Sequence, residues 1–278
     1  MGSSARQARA TTQGGQYGSG RSVREIEHAI SLESVELRFG ARRALSDITL
    51  QIRPGERVAV IGPSGAGKSS LLRLLNGTIA PTAGRVIVSG AELPALRGGS
   101  RRRLQREIGM IHQHLGLVGP LRVVHNVNAG RLGSWSLPKA VCSLLFPRHT
   151  DDVRLALRRV GIEHTLYERT ERLSGGEQQR VAIARVLVQR PRVVLADEPV
   201  AALDRERARE VLDLLAELAD ELHGTLVTSL HDVGIARSRF HRVIGLRRGR
   251  VVFDRPADDL PEALLRELYL IDGEVDRA

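Results

Sequence analysis

The residues best suited to chemistry form one glycine-rich stretch in the first third of the chain. It fits the pattern of a glycine, four residues and then Gly-Lys-Ser, and consists of Gly62, Pro63, Ser64, Gly65, Ala66, Gly67, Lys68 and Ser69. Glycines leave backbone N–H groups free to surround phosphate oxygens, and a helix that starts there directs its positive end toward them. Lys68 would add a positive charge beside the β- and γ-phosphates, and the Ser69 hydroxyl would bind a Mg²⁺ ion that bridges them. The stretch predicts a triphosphate-binding site.

Two adjacent carboxylates, Asp197 and Glu198, follow an apolar run over 193–196. A strand that ends in two acids beside a phosphate loop tolerates their charge only with a cation nearby. Asp197 is predicted to support Mg²⁺ without binding it directly. Glu198 is predicted to accept a proton from the attacking water or to polarise it. The alternative is a strand whose polar end simply emerges into solvent.

A second anion site is indicated by Leu173-Ser-Gly-Gly-Glu-Gln-Gln-Arg, which opens a helix that stops before Pro191. The start of this helix combines a hydroxyl with two glycines, at Ser174, Gly175 and Gly176, and that combination can bind phosphate. A helix that is well capped and binds nothing is the alternative.

Apolar patterns indicate the elements that must position these residues. Alternation over 32–37 and again over 48–52 predicts two antiparallel strands with one solvent-exposed face. The β-branched run at 58–61 predicts a buried strand, and the leucines of 68–76 predict a helix that ends at Gly77.

Further strands are predicted at five places, which are 85–88, 108–111, 193–196, 225–228 and 242–246. Between Gln113 and Leu173 helical periodicity replaces the strand pattern, which predicts a mostly helical insertion. The chain is therefore predicted to be an α/β domain with a mainly parallel core sheet and a small antiparallel flank. Residues 1–30 have almost no apolar side chains and are predicted to be a flexible tail.

Composition limits the classes of protein that fit. The 278 residues, 42% of them hydrophobic, suffice for one sizeable α/β domain or two small ones and exclude a wholly disordered chain. No apolar run approaches the roughly 20 residues that would cross a bilayer. A single cysteine, Cys142, excludes an intramolecular disulfide, and no signal peptide is evident, so the cytoplasm is the expected compartment.

The net charge of +10 comes almost wholly from arginine, because Lys68 and Lys139 are the only lysines. The arginines are spread along the chain and aromatic residues are few, so nucleic acid is not an expected partner. One arginine cluster is most simply a solvated basic face, with lipid headgroup contact as the alternative; it comprises Arg97, Arg101, Arg102, Arg103 and Arg106.

Six motifs occur in the order found in the ATP-binding cassette (ABC) transporters, and the resemblance covers about residues 31–270. They are the phosphate loop, Gln113, Leu-Ser-Gly-Gly-Glu-Gln at 173–178, Leu-Ala-Asp-Glu-Pro at 195–199, Ala-Leu-Asp at 202–204 and His231. The Leu-Ser-Gly-Gly stretch separates this family from other phosphate-loop enzymes. The resemblance implies a P-loop NTPase (RecA-like) α/β core with an antiparallel β subdomain and an α-helical subdomain inserted at about 114–180, within a cassette of residues 31–278.

The resemblance also implies roles for individual residues. Two cassettes would pack head to tail as a homodimer, so that Ser174, Gly175 and Gly176 of one close over ATP held by Lys68 of the other. In each site, adenine would stack on Phe39, and the phosphate-binding stretch would extend to Ser70. Gln113 would sense Mg²⁺ and the water and report to the membrane partner. Asp204 would lie at the dimer seam, and His231 would contact the γ-phosphate. Phe39 stands where many relatives carry Tyr, and Ser70 where Thr is common.

A separate single cassette resembles a bacterial importer subunit, which implies a permease pair, a solute-binding protein and a place at the cytoplasmic face of the inner membrane. Several segments resemble the phosphonate importer ATPases in particular: Asn126-Val127, Gly133-Ser134-Trp135, Phe146-Pro147, Asp197-Glu-Pro-Val-Ala-Ala-Leu-Asp204 and Ser229-Leu-His231. Trp135, Leu144, Leu145 and Phe146 fit equally well as packing residues of the helical subdomain. The alternatives for function are an importer of another solute, such as phosphate or an amino acid, and a soluble ATPase without a permease.

Overall fold

The computed structural model describes residues 27–93, 96, 98–145, 149–201 and 203–269. The predicted tail therefore lies outside the described residues up to 26. Ala29 and Ile30 are buried, and the first strand begins at Ile30. These two apolar side chains, at the end of the predicted tail, already pack in the core.

Strands and helices alternate along most of the described chain. The strands are β1 (Ile30–Phe39), β2 (Arg42–Ile52), β3 (Arg57–Ile61), β4 (Ala83–Val88), β5 (Ala91–Glu92), β6 (Ile108–Ile111), β7 (Val193–Asp197), β8 (Thr225–Leu230), β9 (Arg242–Arg247) and β10 (Arg250–Pro256). The helices are α1 (Lys68–Leu75), α2 (Gly98–Glu107), α3 (Val123–Asn128), α4 (Leu137–Leu145), α5 (Thr150–Arg159), α6 (Gly175–Gln189), α7 (Arg205–Glu221), α8 (Val233–Arg239) and α9 (Glu262–Tyr269). The strands predicted from apolar runs are all confirmed, whereas β5 and β10 were not predicted.

Two sheets organise the fold. The larger has the order β10-β9-β3-β8-β7-β6, and its strands are parallel except for the antiparallel pair of β9 and β10. The smaller has the order β2-β1-β4-β5 and is antiparallel. The predicted mainly parallel core sheet with an antiparallel flank is confirmed.

The central strand β3 is covered on both faces, which explains its unbroken apolar sequence. Ala59 and Ile61 face a core shared with α6 and α7, while Val58 and Val60 face a second core shared with α1 and the smaller sheet. Because β3 is fixed from both sides, the loop at its carboxyl end starts from a rigid point.

The segment between β6 and β7 is helical, as the periodicity predicts. Helix α6 runs without a break to Gln189, so the predicted end of the insertion near 180 falls inside a helix. Trp135 stacks against His149 with ring centroids 6.0 Å apart, and the Lys139 ammonium lies 5.3 Å from its ring. Phe146 lies outside the described residues.

Across the described ranges, no helix combines the length and the apolar character needed to cross a bilayer.

Candidate functional site

A cleft of about 520 Å³ opens where the carboxyl ends of the parallel strands meet. Its lining includes most of the predicted chemistry: Phe39, the loop residues Ser64, Gly65, Ala66 and Gly67, the helix residues Lys68, Ser69 and Ser70, and Gln113, Glu198 and His231. Ligands of open α/β sheets bind at this edge, because the loops after neighbouring parallel strands converge there.

The phosphate loop depends on glycine at its two ends. Gly62 has φ +154°, and a Cβ there would come within 2.0 Å of the Leu246 carbonyl oxygen. Gly67, at φ +110°, would bring a Cβ within 2.8 Å of the Ala44 carbonyl oxygen. Larger residues at these positions would push the loop away from β2 and β9.

Lys68 begins α1 and lies inside the loop, with only 4% of its surface exposed. Its ammonium donates to the Gly62 and Pro63 carbonyls at 2.8 and 3.3 Å and lies 3.8 Å from Glu198 Oε1. Desolvation lowers the pKa of Lys68, although the carboxylates of Glu198 and Asp197 oppose this effect. The loop thus holds a cation whose own carbonyl contacts a phosphate could replace.

Asp197 is buried at the end of β7 and accepts two hydroxyl hydrogen bonds on Oδ1, from Ser69 Oγ at 3.0 Å and from Ser229 Oγ at 2.8 Å. Ser229 was not among the predicted site residues. The strand register explains its place, because Asp197 pairs with Ser229 across β7 and β8. A polar residue at the end of the neighbouring parallel strand is the sequence signal that could have identified it.

The predicted catalytic residues converge on the side chain of Glu198. Its Oε2 accepts from Gln113 Nε2 at 3.1 Å, and its Oε1 lies 2.6 Å from His231 Nε2. Its backbone has φ +47°, a left-handed conformation that turns the side chain out of the line of β7, and its N–H donates to Ser229 Oγ at 2.8 Å. Gln113 and His231, which lie 85 and 33 positions from Glu198 in the sequence, thus both contact its carboxylate.

The mouth of the cleft is aromatic and basic. Phe39 is 48% exposed at the end of β1, where an aromatic face is free to stack. Arg42, which pairs with Phe39 in the strand register, lines the cleft together with Arg43 and Arg248. These three arginines were not predicted as site residues, because charge alone did not separate them from the other arginines of the chain.

Ser174 and its two glycines do not line this cleft. Ser174 caps α6: its Oγ accepts from the Glu177 N–H at 3.3 Å, and the Glu177 carboxylate accepts from the Ser174 N–H at 2.9 Å. The Ser174 hydroxyl also donates to Glu177 Oε2 at 2.7 Å, and this hydrogen bond, followed by the one from the Ser174 N–H, lowers the pKa of Glu177. Around Gly175 and Gly176 a Cβ would meet nothing within 4 Å, so the start of α6 presents bare backbone to open space.

Asp204 also lies away from the cleft, as the N-cap of α7. It accepts from the Arg207 N–H at 3.0 Å and is exposed. Ala202, in the same predicted motif, lies outside the described residues. In one chain the structure therefore brings together the phosphate loop, the two carboxylates, Gln113 and His231, but not the Ser174 and Asp204 motifs.

The comparisons with known proteins point to one family. The sequence profile described as ABC transporter matches residues 45–201. A phosphonates import ATP-binding protein of Pseudomonas aeruginosa is 48% identical over 242 residues, covering 87% of this chain and 91% of that protein. A protein of the same name from Pseudomonas putida is 47% identical over 241 residues, with 87% and 90% covered.

Solved structures agree with this assignment. A cassette of Clostridium perfringens, part of the ABC transporter complex cbiONQ, has a TM-score of 0.71 and 30% identity, covering 87% of this chain and 92% of that one. An ATP-binding cassette in a dimeric post-hydrolysis state with ADP and Pi has a TM-score of 0.68 and 30% identity, covering 83% and 100%. The phosphate loop, the carboxylate pair and the Leu-Ser-Gly-Gly helix thus occur in a chain that belongs to the ABC transporter family of ATP-binding proteins.

Proposed function

We propose that this chain is the ATP-hydrolysing subunit of a bacterial importer for phosphonates or related phosphorus oxyanions. The observation that carries the hydrolytic part is the convergence of Lys68, Gln113 and His231 on Glu198 beside the phosphate loop. The substrate class rests on the relatives named above, which share nearly half of their residues with this chain over most of its length.

The chemistry follows from the positions of the side chains. The loop N–H groups and Lys68 bind the triphosphate, whose γ-phosphate replaces the carbonyl contacts of the ammonium. The Ser69 hydroxyl and the Asp197 carboxylate offer oxygen atoms of the kind that would hold Mg²⁺, and the ion would neutralise charge on the β- and γ-phosphates. The Gln113 amide oxygen can serve the same ion or the attacking water.

Glu198 acts on that water as general base, and His231 holds its carboxylate in place from the other side. Phe39 stacks on the adenine at the mouth of the cleft, where its exposed ring already faces the open space. Ser70, one residue beyond the Mg²⁺ hydroxyl, lies in the first turn of α1 and adds to the phosphate-binding surface.

The site is completed by a second copy of the chain. The start of α6 offers the Ser174 hydroxyl and the exposed backbone of Gly175 and Gly176, but it lies outside the cleft of its own chain. In a head-to-tail homodimer these groups contact the ATP held by the partner's phosphate loop. Asp204, exposed at the start of α7, lies at the seam. The dimeric cassette with ADP and Pi, similar to this chain over 83% of its length, supports this arrangement.

The complex includes partners that this chain does not contain. An import function requires a permease pair in the membrane and a solute-binding protein, which places this subunit at the cytoplasmic face of the inner membrane. The described cleft is built for a nucleotide, so selection of the transported oxyanion belongs to those partners.

Glu198→Gln tests the hydrolytic mechanism. The amide keeps the size of the side chain and most of its hydrogen bonds but cannot take a proton, which lowers the ATPase rate by about 10²–10⁴-fold. Bound ATP then persists, and size-exclusion chromatography should show a monomer without Mg-ATP and a dimer with it. An ATPase rate equal to that of the parent protein would show that Glu198 is not the base, and tight ATP binding by a chain that stays monomeric would contradict the shared site.

The substrate class is tested in the native host. Deletion of the gene should abolish growth on an alkylphosphonate as the sole phosphorus source and leave growth on phosphate unchanged. The wild-type gene should restore growth, whereas the Glu198→Gln gene should not. Normal growth of the deletion strain on phosphonate, with loss of growth on another solute, would assign the importer to that solute.

A further inference from the structure

Arg185, in the C-terminal half of α6, is a partly buried arginine that has no place in the mechanism described above. Its guanidinium donates to two consecutive backbone carbonyls, that of Leu115 at 2.8 Å and that of Gly116 at 2.9 Å. Within the described ranges no carboxylate lies within 4.0 Å of it, and burial lowers its pKa. Among the residues that the structure describes, the hydrogen-bond acceptors of this charged group are two carbonyls of one loop, and its burial has a cost in desolvation.

That loop is the one that carries Gln113. Leu115 and Gly116 both adopt left-handed conformations, with φ of +56° and +58°. Their N–H groups bond within the loop, to the His112 carbonyl at 2.8 Å and to the His114 carbonyl at 2.6 Å. For leucine this backbone conformation is strained and persists only where surrounding contacts enforce it. The two hydrogen bonds from Arg185 act on the carbonyls of these same two residues.

The other end of Arg185 is fixed as well. A Cβ on Gly130, in the turn after α3, would come within 2.3 Å of the Arg185 carbonyl oxygen, so the two backbones are in close contact. Arg185 also lies 11 positions after Ser174 on the same continuous helix, roughly 16 Å along its axis. Helix α6 thus connects Ser174, at its start, to the loop that contains Gln113.

We propose that Arg185 is a positioning residue of the ATPase site: it fixes the backbone of residues 112–116 so that the Gln113 amide meets Glu198, and it ties that amide to the helix that Ser174 caps. This inference rests on the proposed hydrolytic function. Arginine is suited to the task because its planar fork can hold two neighbouring carbonyls at once, whereas an ammonium is a point donor.

Backbone hydrogen exchange of the chain without nucleotide tests the first half of the proposal and does not depend on hydrolysis. In Arg185→Gln, amides of residues 112–118 should exchange about tenfold faster, while those of the phosphate loop and α1 keep their rates. Arg185→Lys should give an intermediate rate. Arg180→Gln is the matched control, since Arg180 lies on the same helix but donates to the Val160 carbonyl at 2.8 Å and to Glu210.

Steady-state kinetics test whether the position of the Gln113 amide at Glu198 depends on Arg185. Arg185→Gln should lower kcat by about tenfold or more with KM for ATP within about twofold of the parent value, because the triphosphate contacts stay in place while the Gln113 amide moves. Arg185→Lys should recover part of kcat, and Arg180→Gln should keep it. If Arg185→Gln does not fold, the Lys variant alone carries both measurements.

Unchanged exchange at 112–118, or equal losses in the Arg185 and Arg180 variants, would overturn the positioning role. Absence of ATPase activity in the parent protein would instead count against the proposed function, and the exchange result would still stand.

Discussion

At the scale of single residues, the site is defined by groups that are held in unfavourable surroundings. Lys68 is buried with a lowered pKa, and Glu198 adopts a left-handed backbone. Each is stabilised locally, Lys68 by two carbonyls and Glu198 by the amide and imidazole that face it. A ligand of opposite charge stabilises such a group more than it would a solvated one, and for Lys68 that ligand is a triphosphate.

Lys68→Ala should remove nucleotide binding, because the point charge that faces the β- and γ-phosphates is lost. The measurement is the affinity for a fluorescent ATP analogue. The only other lysine of the chain provides the control: Lys139→Ala removes the same charge from a position beside Trp135 and should bind ATP like the parent protein. Equal affinities of the parent and Lys68→Ala proteins would show that the loop does not bind the nucleotide.

At the scale of elements, strand register and helix ends decide which side chains meet. The parallel pairing of β7 with β8 sets Asp197 opposite Ser229, and β6 brings the Gln113 loop to the same edge. The start of α6 is fixed by a capping box, in which Ser174 and Glu177 each accept a hydrogen bond from the backbone N–H of the other.

Glu177→Ala should lower the free energy of unfolding by about 1 kcal/mol at neutral pH, because the capping box is lost. Since the folded-state pKa of Glu177 is lowered, its contribution is fully present above the unfolded-state pKa and disappears as the pH falls through the folded-state value. Urea unfolding of parent and variant from pH 7 to pH 3 should therefore show the difference shrinking. Glu206→Ala, in the first turn of α7, is the control; an equal loss there at pH 7 would point to the helix dipole instead of the cap.

At the scale of the whole molecule, the phosphate-loop cleft and the Ser174 motif do not meet within one chain, and in the proposed dimer each would be half of a site. The cleft lacks the Ser174 motif, and the Ser174 motif has open space in front of its glycines. A two-fold pair of chains would join each half to its complement, because an isologous arrangement repeats the same contact twice.

A mixture of two inactive variants tests this arrangement. Ser174→Arg should bind ATP but not hydrolyse it, since it damages only the partner's site, and Lys68→Ala should do neither. When mixed in equal amounts, their heterodimers contain one site with both defects and one with neither, so activity should return in roughly a quarter of the sites. Complete inactivity of a mixture that chromatography shows to be dimeric would mean that the sites are in the same chain or strictly coupled.

The sequence by itself determined the local features: the triphosphate loop, the strands that lead to it, the acids after β7 and the capped start of α6. These follow from short-range patterns, because glycine spacing, apolar runs and caps act over a few residues. Only the tertiary structure decided that Ser229 supports Asp197, that Arg42, Arg43 and Arg248 line the cleft mouth and that Arg185 holds the Gln113 loop. Their partners are distant in the chain, and the packing of strands and helices that brings them together is set by the whole core.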